Sequence, residues 1–170
     1  MPRLHVCSLA RIHETVAQTG ARSLMTLISP GTPVARPVAI EPHRHLTISI
    51  SDIVEPLPGQ VLPDGVHLDD LLDFVHAWDR AEPMVIHCYA GVSRSTAAAF
   101  IAACALNPAR DEFALARAIR AASPTATPNA RLVALADLRL ERGGRMTAAI
   151  AEIGRGEECF EGIPFALDVA

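Results

Sequence analysis

The residues best suited to chemistry lie in one short segment, His87–Ser95, which reads HCYAGVSRS. It contains a cysteine, Cys88, and an arginine, Arg94, with Gly91 midway between them. The apolar run Met84–Ile86 precedes the segment and an Ala-rich run follows it. These patterns predict a buried strand, then this loop, then a buried helix.

A loop in this position can bind an oxyanion. Free backbone N–H groups at a helix N-terminus and the helix dipole both favour negative charge. Gly91 allows the tight turn that brings these N–H groups to one point. The same groups and Arg94 would hold Cys88 as a thiolate, and the Arg94 guanidinium fits two phosphate oxygens. The loop therefore predicts displacement at phosphorus through a thiophosphate intermediate. The alternative, a Cys88 that merely fills the core, leaves Gly91 and Arg94 unexplained.

Such a reaction also needs an acid that protonates the leaving oxygen. Asp52 is the candidate, because it follows the strand-like run His45–Ile50 and opens a Pro-rich loop, residues 51–65. The alternative role for Asp52 is to cap a turn. Four other carboxylates could take the acid role: Glu55, Asp64, Asp69 and Asp70. Of these, Asp69 and Asp70 fit a solvated helix face better.

The segment resembles the signature HCxxGxxR, followed by Ser or Thr, of the cysteine-based protein tyrosine phosphatase superfamily, and its AGVSRS part is closest to the dual-specificity branch. The resemblance implies that Cys88 attacks phosphorus while Arg94 holds the equatorial oxygens. It also implies that His87 orients the loop and favours the thiolate, and that Ser95 helps the thiolate leave. The phosphate-binding residues are then Tyr89, Ala90, Gly91, Val92, Ser93 and Arg94.

The likeness extends weakly over about residues 20–142. Residues 123–129, SPTATPN, resemble the turn that opens a late helix in these enzymes, although its usual arginine is absent. In the dual-specificity branch the acid lies in a loop comparable to that of Asp52. The N-terminal strand and helix and the C-terminal tail lie outside the likeness.

The resemblance implies a cysteine-dependent protein phosphatase that hydrolyses phosphotyrosine, with phosphoserine and phosphothreonine left open. Its substrate would be a phosphorylated protein or a small phosphomonoester, and it would need no metal or cofactor. A non-catalytic phosphoprotein-binding module and an inositol or lipid phosphatase are the alternatives, and arsenate reduction or sulfur transfer would use similar cysteine chemistry. No charged residue lies between Cys88 and Arg94, which favours a singly phosphorylated substrate.

Composition narrows the class of protein. The 170 residues include 15 Arg and no Lys against 19 acidic residues, so the formal charge is 15 − 19 = −4, and half the residues are apolar. This is globular composition, and its acidic balance argues against nucleic-acid or membrane-surface partners. The longest apolar run, Ala97–Leu106, is about half a bilayer span. With no secretory signal in the sequence, we expect a cytoplasmic protein. The oligomeric state is left open.

The cysteines and histidines outside the loop have ordinary explanations. The four cysteines, Cys7, Cys88, Cys104 and Cys159, are too widely spaced for a disulfide framework or a zinc site. Cys7 or Cys104 could form a reversible disulfide with Cys88 under oxidation. His43 and His45 fit a solvated strand face better than a metal site.

The elements that must position the loop follow an α/β pattern. Strands alternate with helices and a helical third follows, which predicts a phosphatase-like domain with a mostly parallel sheet of four to five strands. We place this single domain at residues 1–155 and a C-terminal tail at residues 156–170. The predicted strands are Leu4–Leu9 at an edge, Ser23–Ile28, His45–Ile50 and Met84–Ile86. Helices are predicted at residues 11–18, at Ser95–Leu106 and from Asn129 to Gly143. Another helix follows the cap Asp64, with Trp78 facing the core. The stripe Leu115, Ala118, Ile119 and Ala122 predicts one more.

Overall fold

A computed structural model describes residues 2–170. Five strands form one sheet in the order β3-β2-β4-β1-β5, parallel except for the last. The strands are β1 Arg3–Cys7, β2 Ser23–Ile28, β3 His45–Ser49, β4 Met84–His87 and β5 Phe165–Asp168. The helices are α1 Ile12–Thr19, α2 Gly65–Ala77, α3 Arg94–Leu106, α4 Glu112–Ala122, α5 Ala130–Arg139 and α6 Arg145–Ile153. The expected α/β fold with a mostly parallel sheet is confirmed.

Helices cover the sheet on both faces, and the side chains of each strand point alternately into the two layers. In β2, Met25 and Leu27 pack into the larger core, which includes α2, α3 and Trp78. Leu24 faces the other way and packs with Val85 and the side chains of α1. Both sets of residues are apolar, as expected of strands covered by helices on each side.

Helix α3 passes through the middle of the larger core. All residues from Arg94 to Cys104 are buried, and five of them are alanines. Small side chains let neighbouring elements approach this helix closely from every direction. Its N-terminus, which begins directly after the Cys88 loop, is therefore held firmly.

The C-terminal segment corrects two expectations. We expected an edge strand at Leu4–Leu9, but β1 ends at Cys7 and lies inside the sheet because β5 pairs with it on the other side. The predicted tail, residues 156–170, thus contains a strand that completes the sheet. Its four residues, FALD, are too few to show a clear strand pattern.

Two details of the helical third also differ from expectation. Ala118 and Ala122 are exposed, and the buried stripe of α4 includes Glu112, Leu115 and Ile119. Glu112 can lie on the buried face because its carboxylate forms a buried ion pair with Arg142, 2.8 Å away.

The helix expected from Asn129 to Gly143 is two helices. Helix α5 ends at Arg139 and α6 starts at Arg145, and both intervening glycines have positive φ. Within residues 2–170, no helix combines the length and apolar content that a membrane span needs.

Candidate active site

The Cys88 loop joins β4 to α3 and keeps the sulfur nearly out of solvent. Cys88 is 2 % exposed, and its Sγ lies 3.1 Å from Ser95 Oγ and accepts a hydrogen bond of 3.2 Å from the Gly91 N–H. Gly91 has φ +72°, and a Cβ there would lie 2.8 Å from the Cys7 carbonyl carbon. Only glycine suits both this backbone conformation and this close approach. The turn is thereby fixed around the sulfur.

The backbone of the loop offers free hydrogen-bond donors. Among residues 2–170, no protein acceptor pairs with the N–H groups of Tyr89, Ala90, Val92, Ser93 and Arg94. The first N–H groups of a helix lack intrahelical partners, and unpaired donors on one loop form an anion-binding site. These five groups belong to the residues that the sequence predicted for phosphate binding, together with Gly91.

Arg94 is fixed on one side and free on the other. The side chain is buried, and its Nη1 donates to the Ile50 carbonyl oxygen at 2.9 Å and to Ser29 Oγ at 3.0 Å. Its Nε is also buried but has no hydrogen-bond partner. A buried donor without a partner is costly unless a ligand satisfies it. The guanidinium can therefore offer its Nε edge to an oxyanion.

His87 acts through hydrogen bonds. Its Nδ1 lies 2.9 Å from the Cys88 carbonyl oxygen and its Nε2 lies 2.7 Å from Thr26 Oγ1. Burial lowers the pKa of His87 to about 4. The ring is thus neutral at neutral pH and brings no positive charge to the loop. Its Nδ1 instead holds the Cys88 carbonyl oxygen. The two roles that the resemblance implies for His87, orienting the loop and favouring the thiolate, stay predictions.

Asp52 lies at the rim of the same loop. Its Oδ1 accepts hydrogen bonds from Ser93 Oγ at 2.7 Å and from Asn129 Nδ2 at 3.0 Å. Asn129 also caps α5, because its Oδ1 accepts from the Leu132 N–H. The structure therefore brings the sequence-predicted acid to the candidate nucleophile's loop and ties it to a helix end.

The other candidate acids are placed differently. Glu55 lines the same groove as Asp52. Asp64 caps α2 by accepting from the Gly65 N–H, and Asp69 forms an exposed ion pair with Arg139. Asp70 is exposed on α2, as the solvated-face interpretation predicts. Asp52 is the carboxylate bound directly to the loop.

Several residues of the site could not be singled out from sequence. Ser29 and the Ile50 carbonyl, which hold Arg94, follow β2 and β3 and carry no distinctive pattern. Thr26, which contacts His87, sits inside an apolar strand. Asn129 has a signal, since it ends the SPTATPN turn, but that turn predicts only the start of a helix.

The segment after α6 covers the loop from outside. The Gly162 N–H donates to the Ala90 carbonyl oxygen at 2.8 Å, and a Cβ on Gly162 would lie 2.9 Å from the Gly91 carbonyl oxygen. On the other flank, the Leu9 N–H donates to the Tyr89 carbonyl oxygen at 3.0 Å. The two ends of the chain, which lie outside the sequence likeness, thus support the loop.

In the described part of the chain, Cys7, Cys104, His43 and His45 do not form a metal-binding group. Cys7 and Cys104 are free thiols, and burial raises their pKa values to about 11 and about 12. His43 is exposed, with its Nδ1 3.3 Å from Glu41, whereas His45 turns toward Thr26. No group of three His, Cys, Asp or Glu side chains within residues 2–170 could hold a metal ion.

Comparison with known proteins identifies the fold. No protein-family model and no curated protein matches the sequence. Among solved structures, DUSP15 is similar over 91 % of this chain and 94 % of its own, with 18 % identity and a TM-score of 0.63. A mouse protein described as a dual-specificity phosphatase, in complex with zinc tungstate, covers 86 % of each chain with 19 % identity and a TM-score of 0.62. Human DUSP28 covers 82 % of this chain and 92 % of its own, with 21 % identity and a TM-score of 0.59.

These likenesses define the class by its architecture: the chain has the fold of the dual-specificity phosphatases, a branch of the cysteine-based tyrosine phosphatase superfamily. In that fold, its HCxxGxxR segment begins at the last residue of β4, forms the loop and ends at the first residue of α3.

Proposed function

We propose that this protein hydrolyses phosphomonoesters, in particular phosphotyrosine in proteins, through a cysteinyl-phosphate intermediate. One observation carries the proposal. The buried Nε of Arg94, which has no partner, belongs to the same short loop as five free N–H groups and the Cys88 sulfur. A dianionic phosphoryl group is the ligand that needs such donors and that a cysteine can attack.

In the first step the Cys88 thiolate attacks phosphorus and an S–P bond forms. The bond from phosphorus to the leaving oxygen breaks, and Asp52 donates its proton to that oxygen. Ser93 and Asn129 both bind Oδ1 of Asp52, which leaves Oδ2 to carry the proton. Arg94 and the loop N–H groups stabilise the charge on the equatorial oxygens.

In the second step water attacks the phosphorus of the intermediate. The Asp52 carboxylate accepts a proton from this water, the S–P bond breaks and inorganic phosphate leaves. The sulfur departs as a thiolate, and the Ser95 hydroxyl 3.1 Å away stabilises it by donating a hydrogen bond. Arg94 and the loop supply the positive charge that the reaction needs, so we expect turnover in the presence of EDTA.

The loop favours a single phosphate group as its ligand. Residues Tyr89 to Ser93 carry no charged side chain, so a second phosphate on an inositol ring would find no cation there. We therefore propose a phosphorylated protein side chain as the substrate. Phosphotyrosine, phosphoserine and phosphothreonine peptides of one sequence, compared by kcat/KM, decide among the three.

Hydrolysis of p-nitrophenyl phosphate tests the proposal. We expect turnover that vanadate and tungstate inhibit, and the tungstate in the mouse structural relative makes that anion a natural probe. Cys88→Ser should abolish turnover while tungstate still binds. Activity that survived this substitution would contradict the mechanism. Binding of tungstate or a phosphopeptide without turnover from mildly acidic to neutral pH would instead support a phosphoprotein-binding module.

A further inference from the structure

A chain of three polar side chains crosses the face of the sheet next to the loop. Strand register aligns Thr26 of β2 with His87 of β4, and aligns Leu24, two residues before Thr26, with His45 of β3. Side chains two residues apart share a face, so His45, Thr26 and His87 meet on one side. Thr26 Oγ1 lies 2.7 Å from Nε2 of each histidine.

The positions of the protons in this chain follow from which atoms can donate. The Cys88 carbonyl oxygen only accepts, so the Nδ1 of His87 that faces it at 2.9 Å carries a proton. His87 is fully buried beside Arg94, which disfavours its charged form. Its Nε2 is therefore a bare acceptor, and the Thr26 hydroxyl donates to it.

The Thr26 hydroxyl has one proton, and it donates that proton to His87. Its oxygen can therefore only accept a hydrogen bond from His45, so Nε2 of His45 carries a proton and donates it. The opposite arrangement would place the bare Nδ1 lone pair of His87 against the Cys88 carbonyl oxygen. The unfavourable contact of two acceptors selects the first arrangement.

We propose that Thr26 is a positioning residue, held by His45, that fixes His87 in the tautomer with the proton on Nδ1 and thereby orients the Cys88 peptide. The His87 donor holds the Cys88 carbonyl, and the carbonyl sets the plane of the peptide that starts the phosphate-binding loop. The kinetic consequence of this inference rests on the proposed function, whereas its structural content does not.

Nitrogen-15 NMR of the histidine rings tests the tautomers directly, in the full-length protein at neutral pH. We expect His87 to show a protonated Nδ1 and a bare Nε2, and His45 to show a protonated Nε2. A His87 ring with its proton on Nε2, or an imidazolium at neutral pH, overturns the proposal even if the protein is an active phosphatase.

Substitutions test the positioning role. Thr26→Val keeps the shape of the side chain but removes the hydroxyl and leaves Nε2 of His87 without a partner. We expect the Nδ1–H signature to be lost or averaged and kcat/KM for p-nitrophenyl phosphate to fall about tenfold, as for an unsatisfied buried acceptor. Thr26→Ser keeps the hydroxyl, so both the Nδ1–H signature and kcat/KM should stay close to those of the wild type.

Thr47→Val is the matched control. Thr47 is exposed on β3, and its hydroxyl lies 3.5 Å from Nε2 of His45. We expect the control to leave the His87 signature and the rate unchanged. If Thr26→Val does not fold, the wild-type spectrum and Thr26→Ser still decide. A wild-type-like spectrum and rate for Thr26→Val would overturn the inference, whereas absence of turnover in the wild type would overturn only the proposed function.

Discussion

The close approach of Gly91 to β1 gives a prediction whose magnitude can be worked out from two glycines. Gly91 and Gly59 share the same φ of +72°, but a Cβ on Gly91 would lie 2.8 Å from the Cys7 carbonyl carbon, whereas a Cβ on Gly59 meets nothing within 4 Å. An alanine in this conformation costs about 1–2 kcal/mol, partly offset by about 0.4–1 kcal/mol from the stiffer unfolded chain. Both variants pay this conformational cost.

Gly91→Ala must in addition push two backbone segments apart. Overpacking of this kind costs about 1–3 kcal/mol, so the free energy of unfolding should fall by that much more in Gly91→Ala than in Gly59→Ala. For a chain of this size the extra loss corresponds to a melting temperature about 2–12 °C lower. Urea and thermal unfolding followed by circular dichroism measure both quantities. Equal unfolding midpoints for the two variants would refute the claim that β1 holds the loop rigidly.

Three further predictions concern the acid, the buried ion pair and the buried histidine. Asp52→Asn should lower kcat for aryl phosphates about a hundredfold with little change in KM, because it removes a proton donor; an unchanged kcat in steady-state assays would move this role to another carboxylate. Glu112→Gln should destabilise the protein by about 3–5 kcal/mol because it leaves the Arg142 charge buried without a counter-charge. The exposed control Glu152→Gln should change stability by less than about 1 kcal/mol in the same urea titrations, and equal effects would contradict the assignment. The pKa of His87 falls from 6.5 to about 4 on folding, so the unfolded chain binds more protons between these pH values. The free energy of unfolding should therefore fall by about 3 kcal/mol as pH drops from 6.5 to 4. Urea midpoints across that range measure this fall, and His87→Asn should make the dependence of stability on pH shallower.

Local sequence was sufficient to predict the loop. His87, Cys88, Gly91 and Arg94 lie within eight residues, and the strand before them and the helix after them have clear apolar patterns. A loop of this length has little conformational freedom once both ends are fixed, so the types and spacing of its residues determine its geometry. Asp52 could be proposed because a recognisable strand ends just before it.

The partners of these residues could not be predicted in the same way. Arg94 is held by residues 44 and 65 positions away, and Asp52 is held by Asn129, 77 positions away. Such contacts depend on strand order and on the packing of α5, which a local pattern does not specify. Thr26 is a threonine in an apolar strand, and only the sheet register gives it two histidine neighbours.

The C-terminal third shows a different limit of sequence patterns. The short strand β5 pairs with β1 from the other end of the chain, and this pairing gains its stability from the completed sheet and not from its own four residues. Similarly, the buried face of α4 includes the charged Glu112, because Arg142 neutralises it. A hydrophobic pattern assigns a glutamate to the surface and so misses this side of the buried face. Leu115 and Ile119 are buried as predicted, whereas Ala118 and Ala122 are exposed.

A crystal structure with vanadate tests the central claim most directly. We expect vanadium bonded to Cys88 Sγ, with its equatorial oxygens bound by the Nε edge of Arg94 and by the free N–H groups of residues 89, 90 and 92–94. A vanadate held elsewhere, with the sulfur unbonded and the Nε of Arg94 still without a partner, would contradict it.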